Sequence, residues 1–189
     1  MITIQELANA LYGVWRFMKF DHRAIDYFEN SVSAFWKSFL AALFLAPFQV
    51  IEQISEYTRL ETPPSAIAYS LIEALQYIVL WLAFPYAALW IADRLERYPN
   101  YLRYITAYNW FQIPIGLVSF IIIMFANVGL VSDASTSYML TLILTLFILY
   151  AAFIAFSGLD IGPWVAFAIV AVDILVSLLI VSLGSGTYG

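Results

Sequence analysis

Five long apolar stretches dominate this sequence and restrict what it can fold into. They cover residues 33–51, 66–91, 105–130, 138–156 and 162–183. A helix of roughly 20 residues spans the hydrocarbon core of a bilayer, which is about 30 Å thick. The runs are continuously apolar and longer than barrel strands, which alternate in polarity, so helices are favoured. The sequence therefore predicts an all-α integral membrane protein with a bundle of five transmembrane helices.

The composition agrees with a chain that lies in a bilayer. Hydrophobic residues make up 63% of the 189 positions and charged residues only 11%, whereas about a quarter of an ordinary soluble domain is charged. The net charge is −5, but the acidic residues occur singly and no basic surface is indicated, so nucleic acid is not an expected partner. Cysteine is absent, which excludes disulfides and thiolate metal sites.

The positions of the basic residues predict the orientation of the chain. An odd number of spans places seven of the eight Lys and Arg residues on one side, with Arg59 alone on the other. Basic residues are enriched in cytoplasmic loops. The sequence thus predicts a multi-pass protein, of a bacterial inner membrane, with a cytoplasmic amino terminus and an external carboxyl terminus.

Residues 1–32 are predicted to form a cytoplasmic amphipathic segment, separate from a transmembrane domain of residues 33–189. An apolar stripe recurs there at steps of three and four, which is typical of an amphipathic helix; it consists of Ile4, Leu7, Leu11, Val14 and Met18. The stripe can rest in the lipid headgroup layer or pack against the cytoplasmic ends of the bundle, and the pattern leaves both open. Ser31 or Ser33 is expected to cap the first span.

Small and polar side chains inside two of the spans fall on single helix faces. In the third span a stripe recurs at steps of three and four and contains Asn109, Gln112, Gly116, Ser119 and Asn127. Pro114 lies within it and is expected to kink the helix near Trp110. In the first span Ser38, Ala42 and Ala46 follow one another at steps of four. Close helix packing is the favoured interpretation of both stripes, and a ligand path is the alternative.

Two acidic residues, Glu73 and Asp173, lie inside predicted spans and are the main candidates for a functional site. An ionised Asp at the centre of a membrane helix costs about 2.5 to 3.5 kcal/mol, and no span carries Lys or Arg near its middle. Glu73 lies closer to the outer boundary, where its side chain can also reach the headgroups. Each acid is expected to face the bundle interior, where it is either protonated or hydrogen-bonded to Gln76, Asn109, Gln112, Ser177 or water.

Catalytic signatures are missing from the sequence. It contains no HExxH, GxSxG or GxxxxGK[ST] pattern, each of which marks a particular catalytic or nucleotide-binding arrangement. His22 is the only histidine and stands beside Asp21, which is too few ligands for a typical metal site. The sequence therefore predicts a protein that is not an enzyme and that has no catalytic residue, cofactor or metal.

The segment ALYGVW, from Ala10 to Trp15, resembles the short LYGP-type motif of the Yip family of five-span membrane proteins. Five spans with a cytoplasmic amino terminus and a short external carboxyl terminus are similar to that family as well. Val14 stands where the family has proline, and about twenty residues separate the motif from the first span. The resemblance implies a five-span fold and, by analogy with the eukaryotic members, a role in membrane trafficking.

Two classes of function remain from the sequence. The favoured hypothesis is a non-enzymatic scaffold, accessory subunit or membrane-organising factor, with the lipid bilayer and a membrane-protein partner or a second copy as its partners. The alternative is a small transporter or channel that uses Glu73 and Asp173. A water-accessible cavity that reaches both acids would favour the alternative, and a closed core would favour the scaffold.

Overall fold

The computed structural model describes residues 2–185, and these residues form α-helices and two 3-10 turns without a strand. The helices are α1 (Ile4–Phe17), α2 (Val32–Ser38), α3 (Leu40–Tyr57), α4 (Ala66–Arg94), α5 (Tyr101–Asn127), α6 (Asp133–Leu159) and α7 (Pro163–Ser185), and the 3-10 turns are His22–Tyr27 and Tyr98–Asn100. The all-α fold class is confirmed.

Five of the helical segments in residues 2–185 are long and apolar enough to cross a membrane. The first combines α2 and α3, which are separated only by a turn at Phe39, and α4 to α7 supply the others. The helices extend beyond the predicted apolar runs; α3, for instance, continues past Ile51 to Tyr57. Backbone hydrogen bonding does not stop where the apolar run stops, so helices project beyond the hydrocarbon boundary. Pro114 lies within α5, which continues through it as one helix from Tyr101 to Asn127.

The spans form an incomplete ring. Neighbouring spans pack in the order α3, α5, α6, α7, α4, and α5 also contacts α1 and α2. In contrast, α3 and α4 are consecutive in the chain but are not close neighbours. We call the gap between them the α3–α4 seam. The bundle is therefore closed by helix packing on every side except this one.

Packing is much tighter at one end of the bundle than at the other. We call the tight end the amino-terminal face; it consists of α1, the His22–Tyr27 turn and the adjoining ends of α4 to α7. Every residue of α5 from 104 to 111 is buried, whereas beyond residue 111 only Ile113 is. Gly158 of α6 permits this tight packing, because a Cβ there would lie 3.1 Å from the Cβ of Tyr104. The looser half leaves room for a cavity.

Helix α1 is amphipathic, as predicted, and it packs on the bundle. Its buried residues are Ala10, Gly13, Val14 and Phe17. Of the predicted apolar stripe only Val14 is buried, whereas Ile4, Leu7, Leu11 and Met18 are exposed. The helix therefore packs against the ends of the bundle, which is one of the two arrangements expected, but it does so through a face next to the predicted stripe. A neighbouring face made partly of small residues allows closer approach to the bundle, and the bulkier stripe stays uncovered.

Polar contacts fix α1 and the chain that follows it. The Lys37 ammonium lies 2.5 Å from a carboxylate oxygen of Glu6, and the Tyr150 hydroxyl donates to the Met18 carbonyl at 3.1 Å. Ser31 caps α2 by accepting from the Ala34 N–H at 3.1 Å, which confirms one of the two predicted caps. These contacts join α1 to α2 and α6.

The Glu6–Lys37 ion pair predicts how the attachment of α1 depends on pH. The hydrogen bond from Lys37, helped by that from the Thr3 N–H, lowers the pKa of Glu6 from its usual 4.5 to about 2. A carboxylate with a lowered pKa stabilises the folded state above its unfolded pKa, and this contribution disappears as the pH falls through the folded pKa. We expect α1 to stay attached from pH 7 to pH 5 and to loosen between about pH 4.5 and pH 2, measured as cleavage of the segment by an acid-active protease.

Glu6→Gln is the control for this pH dependence. The amide has nearly the same shape but does not titrate. Cleavage of the variant should be faster at neutral pH and should change less over the acidic range. The same acid-induced increase in both proteins would show that another group loosens α1.

Candidate functional site

A cavity of about 600 Å³ lies inside the bundle and is lined by residues from all five spans. Its size falls within the range of about 300 to 1,000 Å³ that is typical of small-molecule sites. It occupies the half of the bundle in which α5 is less tightly packed. Its polar lining residues are Gln49, Glu52, Tyr77, Tyr108, Asn109, Gln112, Ser119, Asp173 and Ser177.

Asp173 is the most deeply placed acid of the cavity. Only 4% of its surface is exposed, and it lies roughly 15 Å along α7 from Pro163, given a rise of about 1.5 Å per residue. The Tyr108 hydroxyl donates a hydrogen bond to its Oδ2 atom. Within residues 2–185 the Asp173 carboxylate forms this hydrogen bond through Oδ2. Its other oxygen, Oδ1, is therefore able to accept a hydrogen bond from a ligand or water.

Asn109 also lines the cavity, and its side chain carries a buried acceptor. The Ser38 hydroxyl donates to the Phe35 carbonyl at 2.7 Å, so its oxygen can only accept from Asn109. This fixes the amide orientation, with Nδ2 of Asn109 donating to Ser38 Oγ at 2.9 Å. The Oδ1 atom of Asn109 is buried and has no partner within the described residues. A buried acceptor without a donor is costly, so this atom favours a ligand or water that donates to it.

The titratable lining of the cavity is acidic. It contains the acids Glu52 and Asp173 but no Lys, Arg or His among its described residues. Most of its remaining surface is apolar, formed by residues such as Leu45, Phe48, Trp81, Phe84, Phe147 and Leu178. Charges interact strongly where the surroundings are apolar and poorly hydrated. The cavity is therefore suited to a cation that also has apolar surface.

Glu73 and Gln76 do not belong to this cavity. Glu73 accepts a hydrogen bond from Nε2 of Gln53 at 3.3 Å, and Gln76 lies against Gly184 of α7. Neither lines the cavity that contains Asp173. The structure thus separates the two acids, and the partner of Asp173 is Tyr108 rather than any of the predicted side chains.

The predicted packing residues lie in several environments. Ser38 is buried, and Gly116 lies against α3, where an added Cβ would come within 3.0 Å of Leu45. Ala42 and Ala46 are only partly buried, and Ser119 lines the cavity. The residues of α3 that are buried are Ala41 and Leu45, because its contact face is rotated by about one residue from the predicted stripe.

Four polar residues of the cavity lining were missed by the sequence reasoning: Gln49, Glu52, Tyr77 and Tyr108. Tyr108 is one of three tyrosines, with Tyr101 and Tyr104, at steps of three and four on α5, and this spacing places them on one helix face. That pattern was available as a signal. Glu52 was missed because the first predicted span ends at Ile51, one residue before it.

Metal-binding groups and similarity to known proteins are two further indications of the class of a protein. No group of three or more His, Cys, Asp or Glu residues in the described chain is placed to hold a metal ion. Comparison with protein-family models, curated proteins and solved structures gives no match to this chain. The fold and the cavity therefore define the class of protein by themselves. It is an all-α multi-pass membrane protein with an acidic cavity inside its bundle.

Proposed function

We propose that this protein binds a small organic cation in its central cavity and acts as a transporter or channel for it. The observation that supports this function is a cavity lined by two carboxyl groups and, within residues 2–185, by no basic residue. The acid used differs from the one expected, because Glu52 rather than Glu73 accompanies Asp173. The cavity reaches Asp173 but not Glu73, so of the two predicted acids only Asp173 supports transport over the scaffold hypothesis.

An ammonium group complements the site better than other cations. It carries one positive charge and several N–H donors, which suit the available oxygen of Asp173. A buried carboxylate is strongly stabilised when an opposite charge pairs with it and forms hydrogen bonds. Tyr108 holds the Asp173 carboxylate in place for this contact.

Calorimetric titration of the purified protein with ethylammonium chloride tests this function. We expect saturable binding of ethylammonium, weaker binding of tetramethylammonium, which has the charge but no N–H donor, and no binding of acetate. Sodium chloride at equal ionic strength is the control for nonspecific screening. If neither organic cation binds, the proposed function is wrong.

A scaffold role is the second candidate function. It is favoured by the exposed stripe on α1, in which Ile4, Leu7, Leu11 and Met18 remain uncovered beside the tightly packed amino-terminal face. An apolar helix face next to a membrane bundle is suited to lipid contact at the headgroup layer. Lys19, whose Nζ atom lies 3.4 Å from the ring centroid of Trp15, fits the same boundary. A membrane-protein partner or a second copy could use the stripe instead.

We further propose that the amino-terminal face is cytoplasmic and that the membrane is a bacterial inner membrane. This orientation rests on the seven basic residues that flank one side, following the enrichment of Lys and Arg in cytoplasmic loops. Reporters fused after Tyr101 should lie inside, and reporters fused after Gly189 should lie outside. Gly189 itself lies outside the described residues. A carboxyl-terminal reporter found in the cytoplasm would contradict the orientation.

Membership of the Yip family is also a proposal, supported by the five spans and by the ALYGVW segment. That segment lies in α1, and Gly13 within it packs against the His22–Tyr27 turn and the residue after it. A Cβ at Gly13 would come 2.6 Å from Cε2 of Phe28. Close packing on the amino-terminal face therefore gives the glycine of the segment a local structural reason.

A further inference from the structure

The α3–α4 seam borders the cavity along the side that helix packing does not close. On one edge α3 contributes Leu45, Phe48, Gln49 and Glu52 to the cavity lining, and on the other edge α4 contributes Tyr77, Leu80, Trp81, Phe84 and Pro85. Because α3 and α4 are not close neighbours, side chains rather than packed backbones separate the cavity from the bundle exterior at this position. In a membrane that exterior is lipid.

Side-chain contacts between described residues cross the seam. The Tyr77 hydroxyl donates to the Ala42 carbonyl at 2.7 Å, and Gln53 donates to Glu73 at 3.3 Å. Nearer the α3–α4 link the rings of Tyr57 and Tyr69 lie 5.1 Å apart. Single hydrogen bonds and ring contacts of this kind are modest in net strength. The seam can therefore open without unpacking a helix pair.

The chemistry of the cavity restricts what would pass through such an opening. Its walls are mostly apolar, and its acids would pair with an ammonium group. Among the described residues, the lining offers no Lys, Arg or His to a phosphate or carboxylate group, and an unpaired anion beside two acids would be repelled. An aminolipid with a phosphodiester therefore fits the cavity less well than an amine that carries only an apolar chain.

We propose that the ligand is an alkylammonium amphiphile that reaches Asp173 from the bilayer through the α3–α4 seam. This inference rests on the proposed function and specifies its substrate class and its route. The ammonium group pairs with Asp173, and the alkyl chain lies along the apolar walls towards the seam. Tyr77 lines the cavity and closes the seam through its bond to Ala42, so it is the gate of this route.

Chain length is the first test. Titrations with methyl-, butyl- and octylammonium chloride should show affinity rising about fourfold for each methylene that is buried, which corresponds to about 0.8 kcal/mol per CH₂. The Asp173→Asn variant is titrated in parallel, and its signal is subtracted to correct for partition of the amines into detergent. Phosphatidylethanolamine in mixed micelles should compete poorly with octylammonium. Equal affinities along the series would overturn the inference, and strong competition by the aminolipid would assign the site to lipid headgroups instead.

Locking the seam is the second test. The chain has no cysteine, so Gln53→Cys and Glu73→Cys together introduce a single pair that a short bifunctional thiol reagent can join after folding. Cross-linking should slow octylammonium association at least tenfold and leave methylammonium binding nearly unchanged. The matched control joins the α3–α4 link to α5 through Arg59→Cys and Asn127→Cys, whose native side chains form a 2.6 Å hydrogen bond that does not cross between α3 and α4. Equal association rates in the locked and control proteins would exclude the lateral route.

Tyr77→Phe tests the gate without a cross-link. Loss of the hydroxyl removes the bond to Ala42 and should speed both association and dissociation of octylammonium. Unchanged rates would contradict a gating role for Tyr77. The outcomes also separate this inference from the function on which it rests. If methylammonium binds but chain length and seam locking have no effect, only the lateral route is wrong; if no amine binds, both proposals are wrong.

Discussion

Asp173→Asn should weaken ethylammonium binding roughly 10- to 100-fold, because hydrogen bonds to charged groups contribute about 1.5 to 3 kcal/mol. The same variant should abolish ethylammonium uptake into reconstituted vesicles. Asparagine keeps the shape of the side chain and can still accept from Tyr108, but it has no charge to pair with the ligand. We therefore expect the variant to fold, and its thermal stability in detergent to hold or rise, since a buried carboxylate is removed.

Glu73→Gln is the matched control for this experiment. Glu73 is an intramembrane acid as well, but it pairs with Gln53 outside the lining of the cavity. Its substitution should leave ethylammonium affinity within about twofold of the unmodified protein, since it is far less coupled to the ligand. An equal loss of binding in both variants would indicate a general effect of acidic charge rather than a site at Asp173.

Phe17→Ala should produce the largest loss of stability among single substitutions in α1, about 3 to 5 kcal/mol. The side chain is fully buried, and its ring lies 5.8 Å from that of Phe28 and 6.0 Å from that of Phe153. It therefore joins α1 to the chain before the first span and to α6. Removal leaves a cavity at the centre of the amino-terminal face, which cannot collapse easily where helices are closely packed. Thermal or denaturant unfolding in detergent measures the effect.

Leu11→Ala tests whether the loss of stability depends on burial of the side chain or only on its position in α1. Leu11 belongs to the exposed stripe and is 45% exposed, so its substitution should change stability in detergent by much less than Phe17→Ala. A similar loss in both variants would mean that the stripe is covered in the folded protein. No loss in either variant would show that α1 does not contribute to the fold.

The five-span fold was predictable because each span has a continuous apolar run that no other structure accommodates in lipid. The ends of the helices were harder to predict from the sequence. Glu52 follows the apolar run of the first span directly, so it was placed outside the membrane helix, although α3 continues to Tyr57. A charged side chain ends an apolar run without ending a helix, and this is how one acid of the cavity was overlooked.

The candidate site was only partly predictable, because it depends on which helices become neighbours. Asp173 and Asn109 were found from their polarity within apolar runs, and both line the cavity. Tyr108 was not found, because tyrosine in a membrane helix also occurs commonly at the lipid–water boundary. Sequence periodicity gives the faces of a helix but not the order of helices in a ring. The separation of α3 from α4, and with it the seam, could not be read from the chain.

Cysteine labelling inside the cavity tests the central claim most directly. Ser177→Cys places a thiol on the cavity lining, in a chain that otherwise has none, and Ser65→Cys places one at an exposed position outside the cavity. The Ser177→Cys thiol should react faster with a cationic methanethiosulfonate reagent than with an anionic one. Ethylammonium should slow the reaction with the cationic reagent. Asp173→Asn should reduce both effects, and Ser65→Cys should show neither. Equal rates with the two reagents, or no protection by ethylammonium, would contradict a cation-binding cavity at Asp173.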